Sequence, residues 1–523
     1  MPITRSSGVL LHPTSLPGRY GIGGLGEAAH AFVGRLADCG QTWWQMLPVG
    51  PTGYGNSPYQ SYSSHAGNPL LLSIQRLRSV GMLATADLRD YPVCNDDLVD
   101  FDLVAAAKSA ALERAYAEFH RTHDHDEYTT FIHENASWLD DYALFMALKR
   151  ENHGAAWRDW PTPLALREPA ALAEARGRLA DHIDYIRFEQ YIFAQQWQAL
   201  RATCAVRGVK LIGDLPIYVA ADSADVWSRP ELFELDERGL PRFEAGVPPD
   251  YFNADGQLWG NPIYHWEAHR AENFAWWAER LRSTLRRFDL VRLDHFRGFD
   301  RYWAVPAGSA TARPGHWYDA PGRELLTAVR AALGDLPLIA EDLGDIDAPV
   351  RALRDDFKLP GMRVLQFGFV GDEGSEYHLP HRHVQNAVAY TGTHDNDTTV
   401  GWFTGDVNHL ETTQDPTQVL RERRRALRYV ATPPADFHWG LIRAALSSVA
   451  EIAIVPLQDL LGLDGSARMN VPGKVLPRNW SWRYRAPAFD NAVCDRLGQL
   501  TALFGRWNPH TPVPAHCQPD RAL

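Results

Sequence analysis

Eight short apolar or β-branched runs punctuate the chain: GVLLHPT (8–14), TWWQMLPV (42–49), KLIGDLPIYV (210–219), LVRLDHF (290–296), LPLIAEDLG (336–344), MRVLQFGF (362–369), NAVAYTGTHDN (386–396) and EIAIVPLQDLL (451–461). Their hydrophobic positions are consecutive rather than alternate, which is how a strand reads when it is buried on both faces. Between most of them lie stretches with helical periodicity, such as 272–288 and 323–333. Strands alternating with helices predict βαβ units and a parallel sheet. Eight such units predict an α/β fold of (β/α)8 barrel type.

Two interruptions break the repeat. The first, between the second and third strands, carries helical patterns at 103–120, 135–150, 164–180 and 183–207. It predicts a helical insertion subdomain over about 70–208. The second, about 220–269 after the third strand, is rich in Gly, Pro, Asp and aromatics. Loops of that length in a compact enzyme usually wall or cover the active site. The expectation is one catalytic domain over 1–523 with these two insertions. The closing stretch WNPHTPVPAHCQPDRAL reads as Pro-containing coil, so no C-terminal β-domain is expected.

Composition narrows the function classes. A formal net charge of −12 argues against nucleic acid or an anionic membrane as partner. The N-terminal apolar run is only Val9, Leu10 and Leu11, too short for a signal-peptide core. No apolar stretch approaches the ~18 residues of a membrane span, and the reading is cytoplasmic. Cys39, Cys94, Cys204, Cys494 and Cys517 form no CxxC pair, so neither a disulfide framework nor a structural zinc is indicated. The 18 Trp, 19 Tyr and 21 Phe are many for such a chain. Pyranose rings stack their CH faces on aromatics, although most of these rings, Trp276 and Trp277 among them, are expected to be packing.

Three carboxylates carry the chemistry: Asp294 in VRLDHFRG, Glu341 in LIAEDLG and Asp395 in TGTHDND. Each stands where a buried strand runs into its loop, and separate strand ends of one barrel can present such groups at fixed separation. Glycoside cleavage needs a carboxylate and a carboxylic acid on opposite sides of one bond. Arg292 and Asp294, two apart on a strand, point the same way, and a guanidinium there favours the ionised carboxylate. A structural Arg–Asp pair is the alternative. Glu341 is followed by Asp342; two adjacent acids there also suit a loop or a helix cap. HDND could alternatively hold a metal with HRH at 381–383. Asp214 is the first acid after an apolar run and reads as a brace. GYGNSPYQSYSSHAGNPL (53–70) and GVPPDYFNADGQLWGNPIYHW (246–266) mix stacking faces with hydroxyl-binding groups. No GxGxxG, P-loop, GxSxG or HExxH pattern occurs.

Taken together, SGVLLHPTSLPGRYGIG, WWQMLPVGPTGYGNSPYQSYSSHAGNPLL, IGDLPIYVAADSADVW, VPPDYFNADGQLWGNPIY, VRLDHFRGF, IAEDLG, YTGTHDNDT, NVPGK and NWSWR resemble the amylomaltases or disproportionating enzymes. These are the 4-α-glucanotransferases of glycoside hydrolase family 77 in the α-amylase clan. The resemblance runs nearly end to end. It implies Asp294 as nucleophile, Glu341 as general acid/base and Asp395 as stabiliser of the oxocarbenium-like transition state. It also implies that Asp214, Arg292 and His394 hold the sugar and that Tyr59 stacks under it. Asp250, Phe252, Gln257 and Trp259 would line the acceptor side, with Tyr54, Ser57 and His295 as further substrate contacts. The implied activity is retaining transfer between malto-oligosaccharides, amylose or glycogen-derived glucans, by a monomer, without cofactor or metal. A hydrolase on the same barrel and a binding protein on an inactive scaffold are the competing readings.

Overall fold

The structure, a computed structural model, describes residues 4–123, 125–249, 254–344, 346–372, 374–407 and 415–518. Eight parallel strands close into a barrel in chain order. They are β1 (Ser6–Leu10), β2 (Trp43–Gln45), β3 (Lys210–Leu215), β4 (Leu290–Leu293), β5 (Leu338–Ala340), β6 (Gly361–Val364), β7 (Ala387–Tyr390) and β8 (Ile452–Pro456). Six lie within one of the eight apolar runs, while β1 starts two residues before its run and β6 one residue before. Each also stops before its run does, and the remaining residues of the run turn into the loop or short helix that follows. The run 336–344 is strand only over Leu338–Ala340, so Glu341 and Asp342 open the loop.

Close packing inside the barrel explains several residue choices. A Cβ on Gly8 would run into the Trp43 backbone, so β1 approaches β2 only as glycine. Trp44 is fully buried and donates its indole N–H to the Leu11 carbonyl at 2.8 Å. At the seam between β8 and β1, the buried Arg506 guanidinium donates to the carbonyls of Ser6, Leu446, Ser448, Ala450 and Glu451 at 2.6–3.1 Å. One residue thus satisfies five backbone acceptors where the barrel closes. Trp276 and Trp277 are buried in the core, as expected.

Between β2 and β3 the chain is helical over Phe101–Thr122, Asp126–Glu151 and Ala180–Arg207. The expected helix at 164–180 is instead two pieces, Thr162–Ala165 and Pro169–Arg178. Arg167 takes a left-handed φ of 58°, and Pro169 starts the second piece. The pattern at 272–288 is likewise cut, with Asn273 and Phe274 at φ 51° and 55° before the helix Ala275–Arg287. Lys149 ties this helical region to the segment after β3 through Asp222 at 2.5 Å.

That segment is not all loop. Phe243–Val247 and Gln257–Pro262 pair with Arg301–Pro306 and His316–Asp319 in a four-stranded antiparallel sheet beside the barrel. Nothing local announces it, because its strands come from the loops after two different barrel strands. Among the described residues no helix is long and apolar enough to cross a membrane.

Candidate active site

Barrel pairing runs one residue past the strands at the carboxyl rim. Leu293 on β4 is in register with Ala340 on β5. Asp294 N–H then donates to Leu215 O and Glu341 N–H to Leu293 O, each at 3.0 Å. This sets Asp294 and Glu341 side by side on strand ends that run about 4.8 Å apart.

Arg292, two residues before Asp294, is buried and faces two acids at once. One Nη donates to Asp214 Oδ2 at 2.5 Å and the other to Asp294 Oδ1 at 2.7 Å. Asp214, whose side chain is wholly buried, also accepts the Tyr59 hydroxyl at 2.8 Å. The same hydroxyl meets His394 Nε2 at 2.9 Å, and the two rings stack at 5.3 Å. Trp480 leans on both rings. Asp214, Arg292, Asp294, Tyr59 and His394 therefore form one connected cluster.

Glu341 is held differently. Its Oε2 accepts the His295 N–H at 2.7 Å and its Oε1 the Leu343 N–H at 3.0 Å. Among the described residues no side-chain cation lies within 4 Å of it, whereas Arg292 is already shared by Asp214 and Asp294. Burial raises both carboxyls, Asp294 to about 7 and Glu341 to about 8; the Arg292 charge pulls against the rise at both, while the Asp294 charge adds to it at Glu341. Of these neighbours Asp294 alone hydrogen-bonds the guanidinium, which favours the ionised form there and the proton on Glu341. His295 and His394 are both shifted down by burial and are neutral at pH 7.

Asp395 completes the rim. Its carboxylate accepts Asn470 Nδ2 at 2.6 Å on Oδ1, with His394 Nε2 at 3.4 Å. Its carbonyl accepts an Arg468 Nη at 2.7 Å, and Arg468 Nε reaches the Asn470 carbonyl at 2.7 Å. The Asn396 side chain closes the HDND turn on Thr393, and His383 bonds the His378 carbonyl. Among the described residues no group of three His, Cys, Asp or Glu is placed to hold a metal ion.

Trp259, on the antiparallel side sheet, stands edge-on to His295 at 4.9 Å and donates to Gln257 Oε1 at 3.2 Å. Ser57 accepts the Tyr59 N–H at 3.2 Å and so shapes the loop under that ring. Tyr54 opens the short turn Tyr54–Asn56 and is 77% exposed. Asp250 and Phe252 lie outside the described residues. Asp342, adjacent to Glu341, points the other way: buried, it pairs with Arg354 and Arg363 and accepts the Met362 N–H at 2.7 Å. The two adjacent acids divide into one for the cleft and one for the barrel wall.

Asn470, Arg468 and Trp480 join the site without having been singled out in the sequence. NVPGK and NWSWR mark the late loop that carries Asn470 and Trp480, but nothing local says which acid it serves.

A parallel barrel whose rim presents an arginine-paired aspartate, a buried glutamate held by backbone amides and a third carboxylate, beside stacked aromatics, is a glycoside-bond enzyme of the (β/α)8 class. The profile of the 4-alpha-glucanotransferase family matches residues 11–488. The chain is 48% identical to a 4-alpha-glucanotransferase of Synechocystis over 97% of its length and 99% of that protein. It is 46% identical to the one of Thermus thermophilus, over 92% and 95%. Among solved structures, an amylomaltase from Streptococcus agalactiae in complex with acarbose superposes with TM-score 0.91 at 37% identity, covering 96% of this chain and all of that one. The chain belongs to the 4-alpha-glucanotransferase family and acts on α-1,4-glucans by transfer.

Proposed function

We propose that this glucanotransferase works by retaining double displacement, with Asp294 as nucleophile, Glu341 as acid/base and Asp395 as stabiliser of the transition state. The observation that carries the reading is the placement of Arg292 between Asp214 and Asp294, which leaves the proton on Glu341. Arg292 occupies Asp294 Oδ1, so Oδ2 is the oxygen free to attack the anomeric carbon. The C1–O bond breaks as Glu341 protonates the departing glucan, and a glycosyl ester forms on Asp294. In the second step Glu341, now a carboxylate, takes the proton of an acceptor 4-hydroxyl, and that oxygen replaces Asp294 at C1. Neighbouring strand ends suit a retaining pair, whose carboxyls stand about 5–5.5 Å apart.

Tyr59, Asp214, Arg292 and His394 hold the donor ring, while Gln257, Trp259 and His295 lie on the side of the leaving group and acceptor. Asp250 and Phe252 belong with them on sequence grounds, and Tyr54 and Ser57 extend the donor-side loop. The insertions over about 70–208 and 220–269 act as walls of a single catalytic domain. Linear malto-oligosaccharides, amylose and glycogen-derived glucans are the substrates, with cyclic glucans as further products. The reading needs no cofactor, and the net charge of −12 suits a cytoplasmic monomer with no nucleic-acid or membrane partner. The test incubates Glu341→Gln with α-maltotriosyl fluoride, whose leaving group needs no proton. A glycosyl ester on the peptide carrying Asp294 is expected by mass spectrometry. New β-linkages from the wild-type enzyme, or an ester elsewhere, would overturn the mechanism.

A further inference from the structure

Tyr59 belongs to the donor-side cluster, yet the next residue reaches across the cleft. Gln60 Nε2 donates to the Trp259 carbonyl at 2.9 Å and to Asn261 Oδ1 at 3.1 Å, some 200 residues further along the chain. Asn261 is itself buried and oriented, because its Nδ2 donates to the Val219 carbonyl at 2.8 Å. That bond directs Oδ1, and not the amide nitrogen, at Gln60. The Gln60 carbonyl is fixed in turn by the Gly53 N–H at 2.7 Å. Gln60 is thus a two-ended tie between the loop after β2 and the side-sheet strand Gln257–Pro262.

What it holds stands beside the acid. The Trp259 ring meets His295 edge-on at 4.9 Å, and the His295 N–H donates to Glu341 Oε2 at 2.7 Å. His295 sits in the left-handed region at φ 48°, so its ring is aimed by a backbone conformation that few residues adopt. Glu341 serves the leaving group in one half-reaction and the incoming hydroxyl in the other. The platform beside it therefore faces the acceptor, while Tyr59, His394 and Asp395 face the donor ring.

We infer that Gln60 is a positioning residue for the acceptor platform, setting how often the glycosyl-enzyme is taken by a sugar rather than by water. The inference rests on the double-displacement reading above. A glutamine can donate both N–H bonds to two oxygens at once, and no hydrophobic residue of similar shape can. Without them Trp259 keeps its ring contacts but loses the tie that fixes its backbone height above the cleft. Glycosylation of Asp294 uses the donor cluster alone and does not require the tie.

The experiment uses α-maltotriosyl fluoride as donor and glucose as acceptor, with Gln60→Leu and Gln60→Glu. The burst of fluoride reports formation of the glycosyl-enzyme. The glucose concentration at which half of the glycosyl groups are transferred rather than hydrolysed reports acceptor capture. Loss of hydrogen bonds to the two oxygens is expected to raise that concentration about 5- to 10-fold in Gln60→Leu, with the burst rate within about twofold. Gln60→Glu keeps the shape and sets a carboxylate against two acceptor oxygens, so its shift is expected to be at least as large. An unchanged half-transfer concentration in both variants overturns the inference. So does a burst that falls in parallel with acceptor capture, which marks a general structural role. Failure of the underlying mechanism shows separately, as β-linked products from the wild-type enzyme.

Discussion

Glu341 accepts the backbone N–H of His295 at 2.7 Å across the gap between two neighbouring barrel strands. Glu341 is thereby oriented by the residue that follows Asp294. This bond, with the Arg292–Asp294 pair at 2.7 Å, gives the two carboxyls of the site unlike environments. One hydrogen-bonds a cation and the other neutral amides, the kind of contrast that sets two carboxyls apart on one rim.

Replacing either carboxyl removes a distinct step. Asp294→Asn cannot form the glycosyl ester and should lose transfer from maltotriose and from the fluoride donor alike. Glu341→Gln should lose transfer from maltotriose by at least ~10²–10⁴-fold, yet still release fluoride. Chain-length analysis of maltotriose incubations, set beside fluoride release, checks both; an Asp294→Asn enzyme that still disproportionates removes Asp294 from the mechanism.

The pH profile follows from the same environments. Asp294 must be ionised, so activity rises as its carboxyl, raised to about 7 by burial, loses its proton. Glu341 must be protonated, so activity falls as pH climbs through about 8. A bell-shaped kcat/KM is expected, with both limbs reporting the coupled pair. For fluoride release by Glu341→Gln the alkaline limb should vanish and the acidic limb remain. Persistence of the alkaline limb in that variant would assign it to another group.

Asn470 holds Asp395 Oδ1 at 2.6 Å, and on the proposed mechanism Oδ2 is the oxygen that faces the substrate. A hydrogen bond to a charged group contributes about 1.5–3 kcal/mol. Asn470→Ala should therefore lower kcat/KM about 10- to 100-fold, with Asp395→Asn lower still. If Asn470→Ala retains full activity, Asp395 is oriented by His394 and the Arg468 bond to its backbone.

Asp342 should behave unlike its neighbour. Its removal takes the carboxylate from Arg363, 1% exposed, and leaves Arg354, 7% exposed, with Asp355 as its acid. Breaking a buried pair on one side costs about 3–5 kcal/mol. Asp342→Ala should show that loss in urea unfolding, whereas Glu341→Gln should unfold near the wild-type midpoint. Equal midpoints for Asp342→Ala and wild type would show that the two arginines find other partners.

Metal removal supplies a last check. HDND and HRH are turned to other tasks, Asn396 closing its own turn and His383 bonding a carbonyl. Transfer from maltotriose should be unaffected by prolonged EDTA treatment, and loss of activity that returns with a divalent ion would reveal a site these residues do not describe.

The sequence by itself determined the barrel and the three carboxylates. A strand buried on both faces must be continuously apolar, and the first charge after such a run marks where it meets solvent at the rim; Asp294, Glu341 and Asp395 all stand there. Arg292 and Asp294 were legible as a pair because the strand repeat of two is local. Only the tertiary structure decided which strand ends are neighbours. The register of Leu293 with Ala340 sets Asp294 beside Glu341, and no periodicity within either segment encodes it. The same holds for Asn470 on Asp395 and Gln60 on Trp259, bonds between loops 75 and 199 residues apart. It holds for the side sheet too, whose strands find their partners in another loop. Local pattern reports what a segment buries. The partners of its polar groups depend on chain closure, which appears only when the whole barrel is in place.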